Sequence, residues 1–328
     1  MPTLLAPGKM NPQLRARVQR AVRGNQVGSS RVRPRGLAVL RLVAIGAALA
    51  AVAWAVVSDR RATAELEAER EQLLQRVYAH SGTLKESQLR ILVAVQRHLF
   101  RASGKYAGDF VGAELKALNL DSILARPSVY VRGALGAFDT PEGTKLAVSR
   151  SANDGFLFCL TDPVSPTASE NELLQATYPP KHTDGAAQFA ASHLRLQDAV
   201  VTLELLSESW VFRVKRARDV AQLHELRQLF EGAPIEAGIR AAQAEVLIYA
   251  LDEPKEPETE TSFDGGSNHA MRVGLVNLKT GQEVLRLRKR VDLDSVSELN
   301  RLRFGGGITS CKMGTEVRTY IATMAGAR

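Results

Sequence analysis

MRVGLVNLKTGQEVLRLRKRVDL, residues 271–293, places alternating side chains on either side of one turn. Met271, Val273 and Leu275 alternate with Arg272 and Gly274, and Leu285 and Leu287 alternate with Arg286, Arg288 and Arg290. A period of two puts each set on its own face of a strand. Lys279-Thr280-Gly281-Gln282 between them has the chemistry of a tight reversal. The stretch predicts a β-hairpin, with Arg286, Arg288 and Arg290 on one face. Arg213, Lys215 and Arg216, with Arg218, form a second basic cluster. Together the two clusters are candidates for recognising an anionic envelope polymer or a lipid surface. The competing reading is a solvent-facing row paired with nearby acids.

Working outward, SVYVRGAL (128–135) and EVLIYALDE (245–253) also read as strands. TKLAVSRS (144–151), Ala152-Asn153-Asp154-Gly155 and FLFCLTD (156–162) read as another hairpin. Between Gly185 and Gly232 there is neither glycine nor proline, and Phe189, Leu196, Leu203 and Trp210 recur at sevens, which predicts helix. Ser207 and Ser209 are candidate breaks, and Asp219 with Gln222 marks a further start. Pro234 suits the first turn of the next helix. A last helical stretch starts near Asp294 and is expected to break at Phe304-Gly305-Gly306-Gly307. The fold expected for residues 105–328 is α+β: a mostly antiparallel sheet of about five or six strands, with several helices covering one face.

Ahead of it, Leu37–Val57 contains one charged residue, Arg41. As a helix this run is about 31 Å long, matching the ~30 Å hydrocarbon layer. Arg41 would sit at the edge, where its stem reaches the headgroups, and Trp54 lies near the other interface. Three readings compete: a transmembrane signal anchor, a signal peptide cleaved at Ala53-x-Ala55, and a buried helix. The long n-region and the length of the run favour the anchor. The formal charge of +8 belongs to the tail before it. Lys9, Arg15, Arg17, Arg20, Arg23, Arg31, Arg33, Arg35 and Arg41 precede the first acid, Asp59. The 34 basic and 35 acidic residues after Arg41 nearly cancel, so charge gives no case for nucleic-acid binding. The Arg-rich tail, residues 1–36, places the N-terminus in the cytoplasm through Arg31, Arg33, Arg35 and Arg41, and the body outside. That localisation is a single-pass cytoplasmic membrane protein of a bacterium, with lipid contacting residues 37–57.

Residues 58–104 read as a helical stalk. Leu66, Leu73, Leu74 and Val77 form an apolar stripe among charged neighbours, interrupted at Ser81-Gly82. Leu84, Ile91, Val95 and Leu99 continue it. The stripe would serve a two-chain coiled coil, hence a homodimer, or packing against the body of the same chain.

Catalytic and cofactor signatures do not emerge. The six histidines lack metal spacing, and there is no Cys-x-x-Cys, P-loop or Gly-x-Ser-x-Gly. No catalytic residue, metal or cofactor is assigned. DEPKEPETETSFDGGSN (252–268) reads as a solvated insertion. Cys159 and Cys311, the two cysteines, would face an oxidising compartment and are a candidate disulfide. The expectation is a membrane-anchored envelope protein whose body is an interaction or scaffold module, leaning away from an enzyme. The alternatives are an envelope enzyme with a site assembled from distant residues, or a secreted protein whose signal is cleaved.

Overall fold

A computed structural model describes residues 35–151, 154–165, 167–177, 193–254, 268–291 and 296–326; for 35–43, 193, 298–306, 325 and 326 only the backbone is described. Two compact units meet after Ala64. The first contains most of a helix, α1 (Arg35–Ser81), whose side chains from Ala44 to Glu65 are exposed throughout. Among the described residues no helix is long and apolar enough to cross a membrane. The side chains of residues 37–43 of the apolar run, Arg35 and Arg41, and the tail with Arg31 and Arg33 lie outside that description.

The second unit, Glu65–Arg328, is α+β. After α1 come a short turn of helix at Glu86–Leu89, then α2 (Ile91–Ser103), β1 (Phe110–Val111), α3 (Ala113–Leu124) and β2 (Ser128–Ala134). They are followed by α4 (Pro141–Arg150), α5 (Gly155–Thr161), α6 (Glu170–Thr177), β3 (His193–Leu194) and α7 (Leu196–Leu205). The chain ends with α8 (Glu208–Lys215), α9 (Val220–Glu231), α10 (Ile235–Ala242), β4 (Val246–Asp252), β5 (His269–Asn277), β6 (Gln282–Val291) and α11 (Glu298–Gly326).

The six strands form one sheet in the order β1-β6-β5-β4-β2-β3. Pairs β1/β6, β5/β6 and β4/β5 are antiparallel, while β2/β4 and β2/β3 are parallel, so the sheet is mixed. The β5–β6 hairpin closes where Gly281 takes φ 69° and Asn277 Oδ1 accepts from the Lys279 and Thr280 amides. A bulge at Leu275/Val276 takes up one residue of β6.

Both faces of the sheet are covered, not one. Leu247, Tyr249 and Leu251 of β4 point into a core with α2, α4 and α7–α10. Val246, Ile248 and Ala250 point into the opposite core with α3, α5 and α11. The signal lay in EVLIYALDE itself, since a continuous apolar strand is buried on both sides.

The hairpin expected over 144–162 is a pair of helices. Thr140 caps α4 by accepting from the Gly143 amide at 3.1 Å, and Pro141 occupies its first turn. Asp154 caps α5 by accepting from the Phe156 amide. Thr144, Ala147 and Val148 are the buried positions of α4, a helical spacing. The break expected at 304–307 is absent as well, because α11 runs unbroken from Glu298 to Gly326. Glycine serves close approach here: a Cβ at Gly314 would lie 2.3 Å from the Phe156 carbonyl of α5.

Residues 65–103 contribute to the core of their own chain. Leu73, Val77, Ile91, Val95 and Leu99 are buried in the first core, and Leu66 and Leu74 pack against it. Arg76 pairs with Glu231 at 2.6 Å, and Arg227 reaches Glu69. The stripe that a two-chain coiled coil would use is therefore occupied within one chain. Leu99→Ala is expected to lower unfolding free energy by about 2–5 kcal/mol, read from the urea midpoint; a solvated stalk would lose under ~0.5 kcal/mol.

Candidate functional site

The parallel strands β2 and β4 end side by side at Ala134 and Asp252. Asp252 and Glu253 are successive residues at that end, so the strand's period of two sends their carboxylates to opposite faces. Each captures cations from neighbouring strands.

On the face covered by α5 and α11, Arg132 of β2 is 4 % exposed and Asp252 is 1 % exposed. Arg132 Nε donates to Asp252 Oδ2 at 2.9 Å and a terminal nitrogen donates to Oδ1 at 3.1 Å, a bidentate fork. The other terminal nitrogen donates to Asp154 at 3.2 Å and to the Ser310 hydroxyl of α11. Tyr130 donates its hydroxyl to Asp154, and His269 Nε2 lies 2.9 Å from Asp252 Oδ1. One guanidinium thus ties β2 and β4 to the cap of α5 and to α11.

On the opposite face, Glu253 Oε1 accepts from Arg272 of β5 and Oε2 accepts from Arg288 of β6, both at 2.5 Å. Arg272 also donates to the carbonyls of Ala102 and Gly104, where α2 ends. The Tyr106 ring lies 5.5 Å from the Arg272 guanidinium carbon and 6.0 Å from that of Arg288.

Between these clusters the end of the sheet opens into a basin of about 540 Å³. Glu253, Asn268, His269, Arg288, Lys289 and Arg290 line it. Arg290 is exposed and has no ion-pair partner among the described residues. Of the sequence candidates, Arg288 and Arg290 meet here. Arg286 sits further along β6, paired with Glu283 at 2.7 Å and donating to the Gly108 carbonyl. Arg213 and Lys215 lie exposed on α8 and Arg216 is exposed at its C-cap, with Arg213 stacked over Trp210 and Arg216 over Phe212. No bond or cavity among the described residues joins them to β6.

Sequence reasoning missed Arg132, Asp252, Glu253, Arg272 and His269. In the sequence Asp252 and Glu253 belong both to the strand EVLIYALDE and to the acidic stretch 252–268. The available signal was positional: both close an apolar strand, before Pro254 ends it. Most of the insertion itself, residues 255–267, lies outside the described residues.

Burial alone would raise the Asp252 carboxyl; the Arg132 charge and hydrogen bonds from His269 and Arg132 outweigh it and hold it below the usual range. Glu253 follows the same balance, with Arg272 and Arg288 overcoming burial. Both are held as anions, so they orient cations instead of shuttling protons. Burial, then Asp154, pushes the Tyr130 phenol up and keeps it a donor. Depressed folded-state pKa values mean that the unfolded chain takes up protons first on acidification. The stability from Asp252 and Glu253 is complete above their unfolded values, about 3.9 and 4.3, and is lost as pH falls through the folded ones. Urea stability is expected to decline below about pH 4, with a shallower decline in Asp252→Asn.

Cys159 of α5 and Cys311 of α11 are joined as a disulfide with Cα atoms 5.0 Å apart, in a small apolar cluster with Leu173, Val296 and Ile308. Among the described residues no group of His, Cys, Asp and Glu is placed to hold a metal ion.

Comparison with protein-family models, curated proteins and solved structures finds no match to the chain.

Proposed function

We propose that this chain is a single-pass protein of a bacterial cytoplasmic membrane, with its N-terminus inside and its folded unit outside as an interaction or scaffold module. The observation carrying the proposal is the bare apolar helix. Ile45, Leu49, Val52 and Val56 share one side of α1, Trp54 lies on the opposite side, and all are exposed. A helix at a protein surface shows one apolar stripe, whereas a helix apolar all round needs a core or a bilayer. Ala44–Val57 are exposed throughout, so lipid is the solvent that suits them. The Arg-rich tail supports an inside N-terminus, and the Cys159–Cys311 bridge suits an oxidising compartment.

The module's partner, in this reading, is an anionic envelope polymer held at the basin. Arg288 is oriented by Glu253, and Arg290 at the rim has no ion-pair partner among the described residues. The test is binding of the detergent-solubilised full chain to inorganic polyphosphate as probe. Affinity is expected to fall with added salt and by at least tenfold in Arg290→Glu, whose side chain supports no packing. Equal binding by Arg290→Glu contradicts the polymer site.

One observation favours an enzyme as the second reading: His269 both lines the basin and pairs with Asp252. A carboxylate that orients an imidazole is the arrangement of a general base. Turnover of any envelope substrate that is abolished by His269→Gln with polyphosphate binding intact would favour it.

A further inference from the structure

We propose that a second cavity, between the 164–173 segment, β6 and α11, binds a small amphipathic carboxylate with a medium-length acyl body. Its volume is about 520 Å³, inside the roughly 300–1,000 Å³ range of small-molecule sites. One wall is apolar, made by Leu173, Val296 and Ile308 beside the disulfide. Lys289 of β6 and Lys312, one turn after Ile308 on α11, line the cavity as well. Neither lysine has an ion-pair partner among the described residues, and the Lys289 ammonium lies 3.7 Å from the centre of the Tyr320 ring.

The independent pointer is Thr315, 4 % exposed, which lines the cavity and whose hydroxyl has no hydrogen-bond partner among the described residues. Thr319 and Thr323, its successors on α11, each donate to the carbonyl four residues back, at 2.9 Å. Thr315 forgoes that local bond. A buried hydroxyl left unpaired costs free energy, which a ligand oxygen in this cavity would recover.

Two acids also line the cavity and do not neutralise the lysines. Glu170 accepts from the Ser297 amide at 2.6 Å and from its hydroxyl at 2.7 Å, securing the approach to α11. Glu316 is exposed and makes no ion pair with Lys312. With Glu170 engaged by Ser297 and Glu316 exposed, the cavity sets an apolar wall beside two cations and the Thr315 hydroxyl, which suits an acyl chain ending in a carboxylate. The two sites share Lys289, but Thr315, Lys312 and Ile308 line this cavity and not the basin, so the ligand is distinct from the polymer proposed there.

The experiment uses the full chain in nanodiscs and a diazirine-bearing dodecanoate as probe, with labelled peptides identified by mass spectrometry. Saturable labelling is expected within 164–173 and 308–323, displaced by dodecanoate and not by dodecylamine. Lys312→Gln and Thr315→Val are each expected to lower labelling at least fivefold, and Ile308→Trp to abolish it by filling the space. Thr315→Val is nearly isosteric and removes an unpaired hydroxyl, so it tests the site even if Ile308→Trp fails to fold. Absence of saturable labelling in these peptides overturns the proposal. So does equal displacement by the amine, or labelling unchanged in both Lys312→Gln and Thr315→Val.

Discussion

Replacing Arg132 with methionine is expected to destabilise the folded unit by about 3–5 kcal/mol, because it strands two carboxylates in the interior. Asp252 would keep its contact with His269 but lose the guanidinium fork, and Asp154 would lose its guanidinium partner. The same substitution severs the link from β2 to Ser310 of α11. Part of the loss belongs to the uncompensated charge and not to the missing bonds. The double variant Arg132→Met, Asp252→Asn is therefore expected to be less destabilised than the sum of its single changes. Urea unfolding of the four chains of that cycle measures the coupling directly. A loss under ~0.5 kcal/mol for Arg132→Met, or strict additivity, would mean that the fork at the end of β4 does not hold the layers together.

The second large effect concerns the disulfide. Cys159 and Cys311 are 152 residues apart in sequence and join α5 to α11. In the chain-entropy description a loop of that length is worth about 5 kcal/mol, and losses on removing native bridges run about 2–5 kcal/mol. Cys159→Ala with Cys311→Ala is expected to fall in that range; alanine avoids leaving a lone thiol in an apolar pocket. A reducing agent should lower the wild-type unfolding midpoint by the same order and leave the double variant unmoved. A wild-type midpoint indifferent to reductant would contradict the stabilising role.

How much of this was legible in the sequence depended on whether the signal was local. The β5–β6 hairpin was readable because alternation and Lys279-Thr280-Gly281-Gln282 agree. The starts of α9 and α10 were readable from Asp219 and Pro234 for the same reason. The α4–α5 pair was not, because LAVS and FLFCL are short apolar runs that fit either period. There the caps Thr140 and Asp154 carried the information, and apolar content outweighed it. The glycines of 305–307 read as a break; in the fold α11 continues through them, and the Gly307 carbonyl accepts from Thr177 of α6.

The candidate site lay almost wholly beyond local reading. Asp252 and Ser310 lie 120 and 178 residues after Arg132 along the chain, and the three belong to three different elements. Their convergence follows from β2 and β4 being parallel neighbours, a pairing no pattern in either strand announces. Arg288 is legible in the sequence by its charge and its place in the alternation of β6. That Glu253 would fix it depended on a carboxylate read as part of a solvated insertion.

The central claim is that the chain sits in a membrane with its folded unit outside. Reporter enzymes fused after Arg328 test it most directly: one active only outside the cytoplasm and one active only inside, each scored in carbonate-washed membranes. The account predicts that the external reporter is active, remains in the washed membrane at the full fusion size, and that the internal reporter is silent. Activity of the internal reporter, or release of a shortened fusion from the membrane, would contradict it.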